Sequence, residues 1–248
     1  MQSLFPTLRR GLRWLRRIGH CGGFGIQSPF AFNLVTRVVY EREAFYAYAQ
    51  LERTVDAAAD GLRLRDARLL LRLANDHQPR TVLVVGRRTR AAEHYLRAGK
   101  PSALTRSLEA PDHEALDRCA AQLAAAHARP DTEATPSGPA RTGIGPDETG
   151  LRPVKTGIGP VEQSPGGIDL LYLEAETGWE AAWEAALPYA ADRTLFIVHG
   201  LHRSRADRTA WRRLTADKRV RVTFDLYDFG LAYFDSRLHR AAYVVNYF

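Results

Sequence analysis

Cysteine is scarce in this sequence, and its two copies are far apart. Neither Cys21 nor Cys119 belongs to a CxxC pair or to a cluster with histidine. Structural zinc sites and disulfide frameworks need clustered or paired thiols, so neither is expected. The predicted compartment is a reducing cytoplasm.

Long apolar runs are also missing. No stretch approaches the roughly 18 residues of a membrane-spanning helix, and the N-terminus lacks a continuous apolar segment followed by a cleavage site. These absences predict a soluble protein with no transmembrane segment that is not secreted.

Lysine contributes only 3 of the 35 basic residues, so arginine carries nearly all of the positive charge. Arginine can be enriched by genome base composition alone, and the net charge of +7 therefore says little about function. Its distribution says more, because residues 1–40 hold six arginines and no acid, and residues 203–221 hold eight basic residues and two acids. Such patches are compatible with an anionic partner, either nucleic acid or a membrane surface, but without a nucleic-acid motif beside them a solvated basic face is the favoured interpretation.

The composition divides the chain into three parts. A length of 248 residues with 45% apolar content fits one large α/β domain with an extension. We predict an N-terminal helical extension at 1–64 and an α/β domain at 65–248. Within that domain, residues 130–167 hold seven prolines and eight glycines and repeat Thr-Gly-Ile-Gly-Pro twice, which predicts a flexible insertion.

Strand patterns alternate with helix patterns along the chain. This alternation predicts a parallel sheet covered on both faces, and the last strands, with no helix between them, predict antiparallel pairing at one edge. Ser28 and Pro29 have the residue types of a helix N-cap and first turn. The predicted helices are Leu8–Ile18, Ala31–Tyr40, Leu51–Ala59, Arg65–Asn75, Thr89–Leu96, Pro111–Ala128, Trp179–Ala190 and Arg205–Ala216. The predicted strands are Thr81–Val85, one ending at Glu109, Ile168–Leu173, Arg193–Val198, Val220–Leu226, Leu231–Phe234 and Ala242–Tyr247.

The stretch from Pro79 to Glu109 is the one around which the domain is organised. It reads as a strand, a turn at Gly86, a helix and a second strand that closes at Glu109. In α/β proteins a nucleotide-like ligand binds beyond such strand ends, and an acid at this distance accepts hydrogen bonds from ribose hydroxyls. Only one glycine is present in the turn, and Arg87 and Arg88 follow it.

The order of elements resembles a class I S-adenosylmethionine-dependent methyltransferase. It is similar in particular to a bacterial methyltransferase-like family, typical of Bacteroidetes, that begins with G-[IV]-H-S-P-F. The matching stretches are Gly25-Ile26-Gln27-Ser28-Pro29-Phe30, the cofactor motif Leu83 to Arg90, the acidic motif Ser107-Leu108-Glu109, the strand end Leu173 to Glu176, the stretch Val198 to Ser204, and the tail Arg219 to Phe234. The resemblance implies a Rossmann-like fold and S-adenosylmethionine as cofactor.

Three residues keep the family's identity at its functional positions. The resemblance implies that Gly86 and Glu109 bind the cofactor and that His202 is catalytic, with no metal ligands assigned. Each also has a simpler interpretation: Gly86 ends a strand, Glu109 is a solvated acid at a helix start, and His202 is a surface histidine beside Arg203.

Other functional positions depart from the family pattern. Val84 replaces an acid that helps to hold the methionine ammonium, and Arg87 and Arg88 crowd the cofactor loop. His199 and Gly200 replace two adjacent aspartates, which removes carboxylates that orient substrate, bind a metal or take a proton.

Three functions follow from these patterns. The leading hypothesis is methyl transfer from S-adenosylmethionine to an oxygen or nitrogen of a small-molecule acceptor. The alternative is a catalytically degenerate binding module that uses its arginine-rich surface for an anionic partner, since Arg87 and Arg88 at a helix N-terminus suit a phosphate. A nicotinamide-dependent enzyme is the third hypothesis, and the missing glycine fingerprint disfavours it.

Overall fold

A computed structural model of the chain describes residues 25–109, 113–127, 167–175 and 179–247. The predicted basic helix at Leu8–Ile18 and residues 130–166 of the predicted insertion lie outside these ranges. In the part of the chain that is described, no helix is both long enough and apolar enough to cross a membrane.

Seven α-helices and seven strands make up the described residues. The helices are α1 (Pro29–Leu34), α2 (Tyr46–Thr54), α3 (Leu64–His77), α4 (Arg90–Gly99), α5 (His113–His127), α6 (Trp179–Ala186) and α7 (Arg205–Ala216). A π-helical turn at Val35–Val39 and 3-10 turns at Ala57–Asp60 and Leu187–Tyr189 join them. The strands are β1 (Thr81–Val85), β2 (Leu104–Leu108), β3 (Leu170–Glu174), β4 (Leu195–His199), β5 (Val222–Asp225), β6 (Phe229–Tyr233) and β7 (Ala241–Val244).

All seven strands form one sheet in the order β2-β1-β3-β4-β6-β5-β7. β1 to β4 are mutually parallel, and β6 is antiparallel to both of its neighbours, β4 and β5. A mostly parallel sheet with antiparallel C-terminal pairing confirms the predicted Rossmann-like methyltransferase fold class. The antiparallel strand lies inside the sheet, and the strand at that edge, β7, runs parallel to β5.

Helices cover both faces of the sheet, and each face has its own apolar core. Alternate residues along each buried strand enter opposite cores, as the two-residue period of a strand requires. Val82 and Val84 pack under α3 and α4, whereas Leu83 and Val85 pack under α5 and α6. The strands are therefore apolar on both sides, and polar side chains collect where the strands end.

Residue types at the helix ends explain several boundaries. The Ser28 side chain accepts from the Ala31 backbone N–H and Pro29 is the first helical residue, which confirms the predicted cap. α7 begins with a capping box between Ser204 and Asp207 and spans the predicted range.

Most of the predicted helices have different bounds in the structure, and two of them differ for a reason that the residues show. The helix predicted at Leu51–Ala59 is α2, Tyr46–Thr54, and the Asp56 carboxylate then accepts from the N–H groups of Ala58 and Ala59 and starts a 3-10 turn. The helix predicted at Trp179–Ala190 ends at Ala186, and Pro188 lies in the 3-10 turn that follows. Proline cannot donate the backbone hydrogen bond that would continue an α-helix.

A buried arginine ties the N-terminal helices to the C-terminus. The Arg72 guanidinium on α3 donates to the carbonyls of Val38 and Val39, which lie in the π-helical turn, and to the hydroxyls of Tyr48 and Tyr247. Four acceptors surround a buried charge, which offsets the loss of water around it. Residues before β1 and after β7 are thereby held to the same helix.

Candidate active site

The carboxyl ends of the parallel strands share one edge of the sheet. Gly86 follows β1, Glu109 comes just after β2, Glu174 and His199 end β3 and β4, and Asp225 ends β5. Ligands of open α/β sheets bind beyond this edge. It is the candidate active site, and two of the three predicted site residues, Gly86 and Glu109, lie at adjacent strand ends because Val85 is opposite Leu108.

Gly86 occupies a backbone conformation that favours glycine, with φ of +143°. A Cβ atom at this position would lie 2.5 Å from the Glu174 Cβ and 3.0 Å from the Thr89 Cγ2. The Gly86 N–H donates to the Leu108 carbonyl over 2.9 Å, which joins the turn to the end of β2. Gly86 is therefore required by the packing of this turn, and its role in binding a cofactor stays a prediction.

Glu109 is exposed beside this turn, and so are Arg87 and Arg88. Val84 is fully buried in the core under α3 and α4. The carboxylate of Glu109 is accordingly accessible to a ligand, whereas position 84 offers none.

A different carboxylate lies at the helix that follows the Gly86 turn. The Asp60 Oδ2 accepts from the Ala91 backbone N–H at 2.6 Å, in the first turn of α4. No side-chain hydrogen bond from Thr89 caps this helix, so Asp60, which is distant in sequence, fills that role. A half-buried acid therefore lies close to the Gly86 turn without being part of its sequence motif.

Glu174 is the centre of a buried ion cluster. Its Oε2 lies 2.7 Å from the His199 Nδ1 and accepts from the Tyr172 hydroxyl at 3.2 Å, and its Oε1 pairs with the Arg203 guanidinium. Glu174 and His199 are adjacent because β3 and β4 pair in register at these residues. Burial favours a raised pKa for Glu174, but the His199 hydrogen bond and the Arg203 charge outweigh it and lower the pKa below its usual value.

A second ion cluster lies between the start of α3 and the loop after β5. The Arg63 guanidinium binds both carboxylate oxygens of the buried Asp66, at 2.6 and 2.9 Å, and also pairs with Asp228 at 2.6 Å. Burial raises the pKa of Asp66 above its usual value, and Arg63 offsets only part of that rise.

The two buried carboxyl groups therefore have pKa values shifted in opposite directions. Asp66 holds a proton more readily than an ordinary aspartate does, and Glu174 less readily than an ordinary glutamate. Pairs of acids whose pKa values are shifted in opposite directions are common in active sites, although structural ion networks shift pKa values in the same way.

His202, the third predicted site residue, pairs with a carboxylate. Its Nε2 lies 3.0 and 3.2 Å from the two Asp225 oxygens, and its ring stacks on Tyr227 at a centroid distance of 5.2 Å. A carboxylate only accepts, so the proton in the contact between His202 and Asp225 is on Nε2. Tyr227 has φ of +78°, which is unusual for a bulky residue and typical of strained functional sites.

Gly200 leaves room for the arginine that joins this region. Its φ is +86°, and a Cβ there would meet the Arg203 side chain, whose Nε would lie 2.6 Å away. Glycine at position 200 thus allows the Arg203 side chain to contact Glu174.

The described residues offer no metal site, and part of the basic C-terminal run is already paired with acids. Within the described ranges, no group of three histidine, cysteine or acidic side chains could hold a metal ion. Along residues 203–221, three of the basic side chains pair with acids: Arg203 with Glu174, Arg213 with Glu180, and Arg219 with Asp217.

Sequence patterns did not identify most of the polar residues at this edge of the sheet. Asp60, Arg63 and Asp66 precede the first strand, in a segment that reads as helix ends, and Asp225 reads as the end of a strand. The one available signal was the position of Glu174 and Asp225 at the carboxyl ends of strands, where polar residues are exceptions in buried segments.

Comparison with known proteins gives only distant likenesses. No protein-family model matches the chain, and no curated protein matches it. Among solved structures, it is similar to the S-adenosylhomocysteine-bound methyltransferase PaMTH1 of Podospora anserina, at 11% identity over 84% of this chain and 96% of that chain, with a TM-score of 0.47. It is also similar to a putative O-methyltransferase from Klebsiella pneumoniae, at 12% identity over 78% of this chain and 92% of the other, with a TM-score of 0.45. These likenesses are too weak to carry any statement about the site.

Proposed function

We propose that this protein transfers a methyl group from S-adenosylmethionine to an oxygen or nitrogen of a small molecule. The observation that carries the proposal is the meeting of the Gly86 turn and the exposed Glu109 at adjacent ends of β1 and β2. The sheet topology puts the His202–Asp225 pair at the same edge. A cofactor turn, an acid and a histidine base at one edge suit group transfer better than binding alone.

Two carboxylates suit the two polar parts of S-adenosylmethionine, its ribose and its methionine ammonium. Glu109 would accept hydrogen bonds from the ribose hydroxyls, because its carboxylate is exposed and follows β2 directly. Asp60 would take the place of the acid missing at Val84 and attract the methionine ammonium, since its carboxylate is already held at the start of α4. When bound, S-adenosylmethionine supplies an electrophilic methyl group on a sulfonium.

The chemistry left to the chain is positioning and proton removal. His202 would accept the proton of the acceptor at Nδ1, while Asp225 holds the Nε2 proton and stabilises the charge that forms on the ring. The Glu174 cluster would keep the floor of the site rigid, because its carboxylate is fixed by three side chains. Methyl transfer depends mainly on alignment, so few dedicated residues are needed.

Calorimetric titration of the full chain with S-adenosylhomocysteine tests the cofactor site. We expect saturable binding, and about 10-fold or greater weakening in Glu109→Gln, because hydrogen bonds to a charged group contribute about 1.5–3 kcal/mol. Glu184→Gln is the matched control, since Glu184 is exposed on α6, and it should bind as the natural chain does. Absence of both heat and a thermal shift at millimolar ligand would sink the proposal.

Formation of S-adenosylhomocysteine in the presence of small phenols and amines tests the base. With an acceptor that supports turnover, we expect His202→Asn to lower kcat by about 10²–10⁴-fold, the usual contribution of a general base. Affinity for S-adenosylhomocysteine should stay unchanged in this variant. Equal turnover in the variant and the natural chain would remove His202 from the mechanism.

The anionic-partner alternative keeps one supporting feature, the exposure of Arg87 and Arg88 beside the turn. Against it, three basic residues of the C-terminal run are already paired with acids. It remains a prediction from the sequence.

A further inference from the structure

A cavity of about 300 Å³ opens at the edge of the sheet opposite to the candidate active site. Its wall is formed where α3 ends at His77, where the chain enters β4 through Arg193, and where β6 ends at Tyr233. Because β6 is antiparallel, its last residue lies at the edge where the parallel strands begin. The volume is at the lower end of the range for small-molecule sites.

The charged side chains of this cavity divide into satisfied and unsatisfied groups. Asp235 pairs with Arg237 at 2.7 Å, and Asp192 accepts from the backbone N–H and the hydroxyl of Ser236. These four residues therefore have little capacity left for a ligand. Within the described ranges Arg37, Arg193 and Asp76 form no ion pair. Counting Asp192, Asp235 and Arg237 as well, the lining holds three arginines and three aspartates, so its charge is balanced overall and the positive charge is local to Arg37 and Arg193.

Two donors in the wall have no acceptor among the residues that the structure describes. The Arg193 Nε is buried without a hydrogen-bond partner, although its Nη2 donates to the Gln78 carbonyl at 3.3 Å. The Tyr233 hydroxyl hydrogen-bonds no residue in the described ranges, and burial, assisted by the Asp76 charge, holds its pKa well above the usual value. It therefore stays a neutral donor. A buried N–H without an acceptor is uncommon and favours a site where a ligand or water supplies one.

The rest of the wall is apolar and aromatic. Phe30 packs edge-on against the Tyr233 ring, with centroids 5.0 Å apart, and Leu34 and Leu238 line the same space. A molecule that fills the cavity would place an apolar body against these side chains. Its acceptor group would then meet the guanidinium and hydroxyl donors.

We propose that this cavity binds a small organic carboxylate with an apolar or aromatic body. Arg193 and Tyr233 would donate to the carboxylate, Arg37 would add a second positive charge at the rim, and the Phe30 ring would cover the body. A guanidinium suits a carboxylate because its N–H groups form a planar fork. Asp76 and Asp192 oppose the ligand's charge and limit the affinity. The site is separate from the strand-end edge where the cofactor is proposed to bind.

Ligand-detected NMR on the full chain, with 3-phenylpropionate as probe and 3-phenylpropanamide as its neutral match, tests this site. We expect saturation transfer to the carboxylate and at least 10-fold weaker binding of the amide. Arg193→Gln should weaken binding of the carboxylate about 10-fold. Asp76→Asn should strengthen it several-fold, because a repulsive charge is removed.

Two further variants make the outcome decisive. Arg212→Gln removes an exposed arginine of α7 and should leave the affinity unchanged. Leu238→Trp fills the cavity without changing its charge and should abolish binding while the unfolding midpoint of the protein is retained. Equal binding of acid and amide, unchanged affinity in Arg193→Gln, or no binding of the probe overturns the proposal. None of these outcomes depends on whether S-adenosylmethionine binds.

Discussion

Replacement of Glu174 with alanine is expected to lower the free energy of unfolding by about 3–5 kcal/mol, the usual cost of removing one partner from a buried ion pair. The variant leaves His199 buried without its carboxylate and removes the acceptor of the Tyr172 hydroxyl. Arg203 is 43% exposed and can turn toward water, which keeps the loss from being larger. Urea denaturation at pH 7 measures the change.

An exposed ion pair provides the control for this variant. Glu180 pairs with Arg213, whose side chain is 64% exposed, and Glu180→Ala should change stability by about 1 kcal/mol or less. A Glu174→Ala variant as stable as Glu180→Ala would mean that the buried cluster contributes little.

The pH dependence of a second variant at this position, Glu174→Gln, has a definite sign. The folded-state pKa of Glu174 is lowered, so its ionised form stabilises the fold above its unfolded pKa of about 4.5. That stabilisation is lost as the pH falls through the lower folded-state pKa. The difference between the natural chain and Glu174→Gln should accordingly be largest above about pH 5 and shrink in acid. A difference that grows in acid would contradict this assignment.

Replacement of Gly86 with alanine is expected to cost about 3–5 kcal/mol, as backbone strain and overpacking each cost about 1–3 kcal/mol. The φ of +143° is unfavourable for alanine, and the new Cβ would lie 2.5 Å from the Glu174 Cβ. A Cβ cannot rotate away from its own strand, so β1 and β3 would have to separate. Urea denaturation gives the loss of stability, and S-adenosylhomocysteine titration of the folded fraction shows whether the turn still binds.

Gly61 provides a control that separates backbone strain from overpacking. It has φ of +69°, but a Cβ there has nothing within 4 Å. Gly61→Ala should cost only about 1–2 kcal/mol, from the left-handed backbone alone. If Gly86→Ala costs no more than Gly61→Ala, contact with Glu174 does not constrain the turn.

The features of the fold that depend on neighbouring residues were predictable from the sequence. The bounds of β1, the Ser28 cap and the range of α7 follow from β-branched runs, N-cap residues and a capping box, all of which act over a few residues. The pairing of β6 was not predictable in the same way. A short apolar strand carries no local signal of which strand it will contact, so β6 was expected at an edge and lies between β4 and β5.

The same distinction applies to the site. Gly86, Glu109 and His202 are identified by motif position, whereas Glu174 and His199 become partners only through the register of β3 and β4. Asp60 and Arg63 resemble ordinary polar residues at the ends of helices, because their partners Ala91 and Asp228 are distant in sequence. Long-range pairs of this kind cannot be identified from the residues on either side of each partner.

The position of β6 has a consequence for how the chain is made. During synthesis β4 leaves the ribosome before β6, and its hydrogen-bonding edge has no neighbour on that side until residues 229–233 have followed. Asn246 and Tyr247 are synthesised later still. The Asn246 carbonyl accepts from the Tyr40 hydroxyl, and the Tyr247 hydroxyl accepts from Arg72. A nascent chain that has completed every parallel strand from β1 to β4 therefore still has an exposed strand edge, the type of surface that chaperones protect from aggregation.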